Sequence, residues 1–255
     1  MRRLLPGPAG SDDTVLDDTV LDDAGLFDAY RVPDGRHLRV NFIASLDGAV
    51  TIDGRSGGLG SPGDRRIFQM LRSLADVVLV GHGTAATEGY RPITVYSPVG
   101  RLRASIGRPA TAPIAVVSKR ASLDPASGLV TGAVSPTIVV TCESAERDRR
   151  KALADAGVTV LVCGEDDVDL RLATDRLASL GHEHVLCEGG PTLFRDLLTA
   201  TVVDELDLSI APALVGGGHR LLDGLPGAVR LDLRQVLEED GLLFTRYTLE
   251  DPGAR

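Results

Sequence analysis

The sequence has no long apolar run and no excess of positive charge. A membrane-spanning helix needs roughly 18 or more consecutive apolar residues, and no window approaches that length. Arg2 and Arg3 have no apolar stretch behind them, so this end is unlike a secretory signal. We therefore expect a cytoplasmic protein that binds no membrane. The net charge of −9 argues against binding along a nucleic-acid backbone, although a local basic group can still hold a phosphate.

Cysteine is scarce as well. The three cysteines are Cys142, Cys163 and Cys187. They lie far apart, without the paired spacing of metal sites, in or beside apolar runs where cysteine acts as a small hydrophobic residue. The missing disulfide framework agrees with a reducing compartment. His182 and His184 flank Glu183, but no third ligand is evident, so we predict no metal site.

The first 34 residues differ from the rest of the chain. Residues 13–17 and 18–22 repeat the pattern Asp-Thr-Val-Leu-Asp. Short acidic segments seldom carry chemistry, so we expect residues 1–34 to be an acidic arm that packs a few aliphatic side chains on the domain. No linker divides the remainder, and residues 35–255 are predicted to form a single domain.

Strand-like and helix-like segments alternate from Leu38 onward. The predicted strands span residues 38–44, 76–80, 114–118, 137–141, 158–162 and 185–187. The predicted helices span residues 145–156, with Ser144 as a possible cap, and 168–180; another is capped by Asp64 and repeats Ile67, Phe68, Leu71 and Leu74. This pattern predicts an α/β fold whose mixed, mainly parallel sheet is covered by helices on both faces. Residues 205–210 and 243–248 alternate in polarity, which indicates antiparallel strands at the C-terminal edge.

Two glycine-rich turns follow apolar strands. The first contains Gly81, Gly83 and Thr84, and it fits the loose dinucleotide pattern G-x-G-x-x-G/A. The next strand ends in Ser118, Lys119 and Arg120, where a ribose-binding acid is usual. A hydroxyl and two cations suit the 2′-phosphate of NADPH, whereas the alternative is a solvated surface turn.

The second turn runs from Glu188 through Gly189 and Gly190 to Pro191. Proline suits the first turn of a helix, whose free N–H groups form a site for a phosphate. The alternative is an ordinary strand–helix turn. A third glycine-rich segment, residues 54–60, is either a cofactor clasp or a plain flexible loop.

An ordered series of motifs resembles a known family. The motifs are Ser45–Gly48, Leu71–Ser73, Gly81–Thr84, Glu188–Leu193, Val203–Leu206 and Ala211–Gly218. Together they resemble the C-terminal reductase domain of the bifunctional riboflavin-biosynthesis deaminase–reductases, over roughly residues 38–248. The zinc-deaminase pattern H-x-E…P-C-x-x-C is missing.

The resemblance implies a dihydrofolate-reductase-like fold, usually a homodimer, and NADPH-dependent reduction of a phosphoribosylamino-pyrimidine. Glu88 stands where the family often has aspartate, and the stretch from Gly89 to Pro92 also departs from its pattern, so that Arg91 becomes the candidate phosphate cation. The candidate substrate-binding residues are Asp47, Ser56, Asp64, Arg72, Arg91 and Glu188. The candidate cofactor-binding residues are Gly58, Gly81, Thr84, Glu88, Ser118, Lys119, Arg120, Gly189, Gly190, Pro191, Thr192 and Leu193.

Hydride transfer to an imine carbon requires a proton for the nitrogen. The candidate donors are Asp47, Asp64 and Glu188, and we select Asp64 and Glu188 as the catalytic residues. Dihydrofolate reductases carry their pterin-binding carboxylate on the helix equivalent to the one that Asp64 opens here. Dihydrofolate or dihydropterin reduction is therefore the alternative activity. A protein that binds NADPH without catalysis is the second alternative.

The alternating stripe of Leu206, Leu208 and Ile210 has two interpretations. It forms either part of the internal core or part of a homodimer interface, which the family resemblance favours.

Overall fold

We describe residues 1–5 and 20–249 of a computed structural model of the chain. The strands are β1 (Arg2–Leu5), β2 (His37–Ser45), β3 (Val77–Gly81), β4 (Ile114–Val117), β5 (Ile138–Thr141), β6 (Thr159–Val162), β7 (His184–Cys187), β8 (Glu205–Ala211), β9 (Leu231–Glu239) and β10 (Leu242–Leu249). The helices are α1 (Asp23–Ala29), α2 (Pro62–Leu74), α3 (His82–Glu88), α4 (Pro98–Ser105), α5 (Gly128–Thr131), α6 (Arg147–Asp155), α7 (Leu170–Ser179) and α8 (Pro191–Thr199), with a 3₁₀ turn at Ser56–Gly58.

All ten strands form one sheet in the order β1-β9-β10-β8-β2-β7-β3-β4-β5-β6. The pairs from β8 through β6 are parallel, and those joining β8, β10, β9 and β1 are antiparallel. The predicted α/β fold with a mixed, mainly parallel sheet and antiparallel C-terminal edge strands is therefore confirmed.

Helices cover both faces of the parallel strands. On one face α7 and α8 bury Leu177 and Phe194 against β2, β3 and β5. On the other face α2 and α6 supply Leu71 and Leu153 to two further apolar clusters. Burial on both faces explains why β3, β4 and β5 are almost continuously apolar.

Two predicted helix caps are wrong. The N-cap of α2 is Ser61, whose hydroxyl accepts a hydrogen bond from the Asp64 N–H at 3.1 Å. Pro62 then takes the first helical position, which moves Asp64 into the first turn. Helix α6 begins at Arg147, and its N-cap is Glu146 rather than Ser144.

The amino-terminal residues that the structure describes belong to the sheet and the core. Strand β1 pairs with β9, and Leu26 and Tyr30 are buried beside α2. Of the acidic repeat, only residues 20–22 lie among the described residues, and there the Asp22 carboxylate caps α1 by accepting from the Gly25 N–H at 2.8 Å. The boundary at residue 34 remains a prediction.

Charged side chains are buried beneath the antiparallel end of the sheet. Arg39 Nε lies 2.6 Å from Glu205 Oε1 and 3.1 Å from Asp207 Oδ2. Arg246 Nε and His37 Nε2 lie 3.1 and 3.3 Å from Glu205 Oε2. We call these five residues the sheet cluster.

Candidate active site

A cavity of about 890 Å³ opens at the carboxyl ends of β2, β3 and β7. In α/β folds this is the edge of the sheet where ligands bind. Predicted site residues that line it are Ser56, Asp64, Arg72, Gly81, Thr84, Glu88, Arg91, Glu188, Gly190, Pro191, Thr192 and Leu193. Asp47, Gly58, Ser118, Lys119, Arg120 and Gly189 are not part of its lining.

Arg72 and Glu188 form a two-point ion pair in the cavity wall. Arg72 Nε donates to Glu188 Oε1 and Nη2 donates to Oε2, each at 2.7 Å. The Tyr90 hydroxyl also donates to Glu188 Oε2, at 2.6 Å. The Glu188 side chain is only 2% exposed, so this carboxylate meets protein donors rather than water. Both of its oxygens act as acceptors, which makes Glu188 a better anchor than proton donor.

Two aromatic rings hold the Arg72 guanidinium from its faces. Its central carbon lies 4.3 Å from the centre of the Phe68 ring and 5.1 Å from that of Tyr90. Such cation–π contacts contribute about 0.5–2 kcal/mol each. We call Phe68, Arg72, Tyr90 and Glu188 the cavity cluster.

Asp64 presents another carboxyl group to the cavity. It lines the cavity from the first turn of α2. Burial raises the pKa of Asp64, and the hydrogen bond with Ser209 and the charge of Arg65 offset this only in part. A raised pKa keeps more of the acid protonated near neutrality, as a general acid requires.

The second glycine turn requires glycine at two positions. Gly189 has φ +86°, and a Cβ there would lie 2.7 Å from the Phe42 ring. A Cβ on Gly190 would lie 2.5 Å from Thr84 Oγ1. The Gly81 N–H donates to the Gly189 carbonyl at 2.8 Å, so the two glycine turns are joined.

Helix α8 begins directly at this turn. Its N-cap is Gly190, which has no capping side chain. Pro191 and Thr192 of the first turn line the cavity, so the free N–H groups of this turn, which start at Thr192 because proline has none, can meet an anion there.

The glycine-rich loop before α2 is attached to α3. Glu88 Oε1 accepts a hydrogen bond from the Ser56 N–H at 2.9 Å. Gly58 is exposed, and a Cβ there would lie 3.0 Å from the Ile52 side chain. Glu88 therefore places Ser56 at the cavity, whereas Gly58 lies outside the cavity lining.

Asp47 is engaged elsewhere. Its carboxylate accepts hydrogen bonds from Ser45 Oγ at 2.5 Å and from the N–H groups of Val215 and Gly216 at 3.1 and 2.7 Å. These hydrogen bonds, that of Ser45 first, lower the pKa of Asp47 to about 2. Asp47 therefore holds two loops together as a carboxylate, and this geometry does not favour it as a substrate contact or proton donor.

The basic segment after β4 lies outside the cavity. Lys119 Nζ is 3.1 Å from Asp167 Oδ2, and the Ser118 hydroxyl accepts from the Ser122 N–H at 2.9 Å. Arg120 is exposed. A role of this segment in cofactor binding remains a prediction.

Sequence reasoning missed several cavity residues. Phe68 was expected on the core face of α2, yet it lines the cavity beside Arg65. Tyr90 was noted only as a departure from the family pattern. His219 arrives from the distant loop after β8. No local sequence pattern predicts that these residues meet. They come together because Phe68 lies on α2, Tyr90 on the loop after α3 and His219 on the loop after β8.

Neither a metal site nor a membrane span was found in the part of the chain that the structure describes. Residues 1–5 and 20–249 contain no group of three or more His, Cys, Asp or Glu side chains that could hold a metal ion. Within the same residues, no helix has the length and apolar character needed to cross a membrane.

A large cavity with glycine turns and a buried carboxyl, at the carboxyl ends of parallel strands, defines an α/β enzyme with a small-molecule substrate. Comparison with known proteins makes the class specific. The model of the RibD C-terminal domain family matches residues 36–241. The chain belongs to this family, which confirms the resemblance seen in the motifs, and it is an oxidoreductase.

Individual relatives support the assignment. The chain is 32% identical over 220 residues to the 2,5-diamino-6-ribosylamino-4(3H)-pyrimidinone 5′-phosphate reductase of Methanothermobacter thermautotrophicus, covering 83% of this chain and 97% of that protein. A pyrimidine reductase-like protein of Corynebacterium diphtheriae superposes with a TM-score of 0.77 at 28% identity, covering 89% and 98% of the two chains. The riboflavin biosynthesis reductase Rib7 of Saccharomyces cerevisiae, 18% identical with a TM-score of 0.63 and coverage of 88% and 94%, shares the fold.

Proposed function

We propose that this reductase uses NADPH to reduce a phosphoribosylamino-pyrimidine of riboflavin biosynthesis to its ribitylamino form. The observation that carries the proposal is the juxtaposition of Ser56, Arg72 and Glu188 in one cavity with the two joined glycine turns. The name of the Methanothermobacter relative gives the same substrate class.

The cofactor would lie along the two glycine turns. Gly81 and Thr84 line the cavity and would contact the cofactor, and the N-terminus of α8 at Gly190 suits the pyrophosphate. NADPH supplies the hydride when it is bound. Lys119 and Arg120 would meet its 2′-phosphate. For this contact Lys119 must leave its exposed ion pair with Asp167.

The protein's own contribution is to orient the two rings and to supply one proton. Arg72 would contact the substrate, while the exposed Arg91 at the cavity lining would hold its phosphate. Asp64 would protonate the nitrogen that becomes electron-rich when the adjacent carbon takes the hydride. Because burial raises the pKa of Asp64, we expect turnover to fall as the pH rises through that raised value.

Steady-state NADPH oxidation by the purified protein tests the assignment. The pyrimidine should be turned over, and NADPH should bind better than NADH. Removing the charges of Lys119 and Arg120 should weaken NADPH binding and leave NADH binding unchanged. The same change at Arg149 and Lys151, on exposed α6, is the control. Equal affinity of the wild type for both cofactors would contradict the 2′-phosphate contact.

Dihydrofolate reduction is a second candidate, because Asp64 presents a half-buried carboxyl to the cavity from the first turn of α2. If dihydrofolate is a substrate, Asp64→Asn should abolish its turnover, since a neutral amide cannot balance a protonated pterin. Turnover that survives the substitution would refute this role. Cofactor binding without turnover of either compound would favour a binding protein.

We further propose that the enzyme is a cytoplasmic homodimer that pairs through the antiparallel end of the sheet. Leu206 is buried in the core. Its neighbour on the adjacent strand is Tyr247, and the neighbour of Tyr247 on the strand beyond is Leu233, which is 46% exposed. Leu231 beside it is also exposed. Sedimentation of the wild type and of a Leu231→Ser/Leu233→Ser variant tests this: the wild type should be dimeric at micromolar concentration and the variant monomeric.

A further inference from the structure

Tyr90 reaches the cavity cluster from the loop after α3. Its ring packs against the apolar cluster between β3, β4 and α6, which anchors the side chain at one end. At the other end its hydroxyl donates to Glu188 Oε2 at 2.6 Å. The phenol therefore connects the core of the domain to the carboxylate that holds Arg72.

Glu188 and two aromatic rings limit which N–H groups of Arg72 can meet a ligand. Nε and Nη2 of Arg72 each use one N–H on Glu188, so the second N–H of Nη2 and the two N–H groups of Nη1 remain for a ligand. The rings of Phe68 and Tyr90 lie against the guanidinium and oppose its rotation. The positive charge is also balanced by Glu188. A guanidinium whose charge is already balanced by a carboxylate suits a neutral carbonyl or hydroxyl oxygen, whereas a phosphate prefers an arginine without such a partner.

We propose that Tyr90 is a positioning residue, which fixes Glu188 and Arg72 so that the free end of the guanidinium meets a carbonyl or hydroxyl oxygen of the substrate. The inference rests on the proposed function, because it takes Arg72 as a substrate contact. It also assigns the substrate phosphate elsewhere, to the exposed arginines of the cavity lining, Arg65 and Arg91.

Tyr90 can keep this role across the assay range. Burial, followed by the charge of Glu188, raises the pKa of Tyr90 well above its ordinary value. The hydroxyl therefore stays protonated and remains a donor to Glu188.

The test is Tyr90→Phe, which removes the hydroxyl and keeps the ring, compared with Tyr96→Phe. Tyr96 is 85% exposed and is not part of the cavity lining, so its variant should behave as wild type. For Tyr90→Phe we expect the pyrimidine KM to rise about tenfold, as for one lost charge-assisted hydrogen bond. We expect kcat, the NADPH KM and the Tm to stay near wild type.

Two further experiments test whether Tyr90 acts through Glu188 and whether Arg72 contacts the phosphate. In a Glu188→Gln background, Tyr90→Phe should add little, since the hydroxyl acts through Glu188. With the phosphate-free ribosylamino-pyrimidine, the KM should rise by the same factor as with the phosphorylated compound, because the phosphate is held elsewhere. A larger rise for the phosphorylated compound would overturn the assignment of Arg72 to a neutral oxygen.

The outcomes separate the two proposals. Turnover of the pyrimidine by wild type with an unchanged KM in Tyr90→Phe would refute the role of Tyr90 alone. A parallel loss of kcat, NADPH affinity and Tm would show a merely structural role and would also refute it. Failure of wild type to bind or reduce either the pyrimidine or dihydrofolate would refute the proposed function, and the role of Tyr90 with it.

Discussion

The molecule buries two arginine–carboxylate groups, and their surroundings differ. In the cavity cluster one arginine meets one carboxylate, and a phenol and two aromatic faces complete the contacts. In the sheet cluster Arg39 and Arg246 share Glu205 and Asp207, and both Asp207 oxygens are buried without a hydrogen-bond partner. In the cavity cluster both carboxylate oxygens accept hydrogen bonds at the wall of the cavity, whereas the sheet cluster places two carboxylates and two arginines together inside the fold.

The difference appears in the protonation of the sheet cluster. Burial raises the pKa of Asp207 to about 8. Its neighbour Glu205 is also buried, but hydrogen bonding to His37 and the charges of Arg39 and Arg246 outweigh that burial and lower its pKa to about 2. Two carboxylates beside the same guanidinium cannot both ionise cheaply, so Asp207 retains its proton. Similar residue types thus line a cavity at one site and join strands at the other.

The largest expected effect is on stability, from breaking the sheet cluster. Arg39→Met removes the cation shared by Glu205 and Asp207 and should lower the free energy of unfolding by roughly 3–5 kcal/mol. Arg36→Met is the matched control, because the Arg36–Asp175 pair is exposed and should contribute at most about 1 kcal/mol. Urea denaturation measures both. Equal effects would show that burial of the sheet cluster has no energetic consequence.

Breaking the cavity cluster should instead affect catalysis. Arg72→Ala removes the proposed substrate contact and leaves Glu188 buried without its cation, so kcat/KM for the pyrimidine should fall by a factor that corresponds to about 2–4 kcal/mol of transition-state stabilisation. Arg101→Ala, which changes an exposed arginine on α4, should leave kcat/KM unchanged. Unaltered turnover in Arg72→Ala would remove Arg72 from the site.

Asp207 should make stability depend on pH. Its pKa is raised in the folded state, so the stability associated with its proton is complete below about pH 4 and is lost as the pH rises towards 8. Asp207→Asn should remove this loss, and its stability relative to wild type should increase with pH by at most about 1.4 kcal/mol per unit. Thermal unfolding between pH 4 and 8 measures the difference. A pH-independent difference would contradict the retained proton.

The smallest effect concerns the aromatic face that distinguishes the cavity cluster. Phe68→Leu keeps an apolar side chain but removes the ring 4.3 Å from the Arg72 guanidinium. The loss of about 0.5–1 kcal/mol should raise the pyrimidine KM roughly two- to fivefold, with little change in kcat. Steady-state kinetics would show whether the ring contributes, since an unchanged KM would mean that Glu188 alone holds Arg72.

Local sequence patterns predicted the strands and helices whose structure depends mainly on residues close by in the sequence. The apolar runs of β3, β4 and β5 predicted strands buried on both faces. The alternation of apolar and polar residues predicted β8 and β10. Strand β9 was missed, because its exposed first half gives no core-facing pattern. The caps of α2 and α6 were misplaced by a few residues, since several neighbouring side chains can cap a helix.

The sequence by itself determined the fold class, the family, and an ordered set of polar residues that follow strands or begin helices. Only the tertiary structure decided that Arg72 and Glu188, 116 positions apart, form one ion pair, that Tyr90 completes it, and that Asp47 serves a loop instead. Backbone preferences and apolar periodicity act over a few residues, and so a sequence displays them directly. Contacts between distant side chains depend on strand order and on the paths of loops, which exist only once the chain has folded.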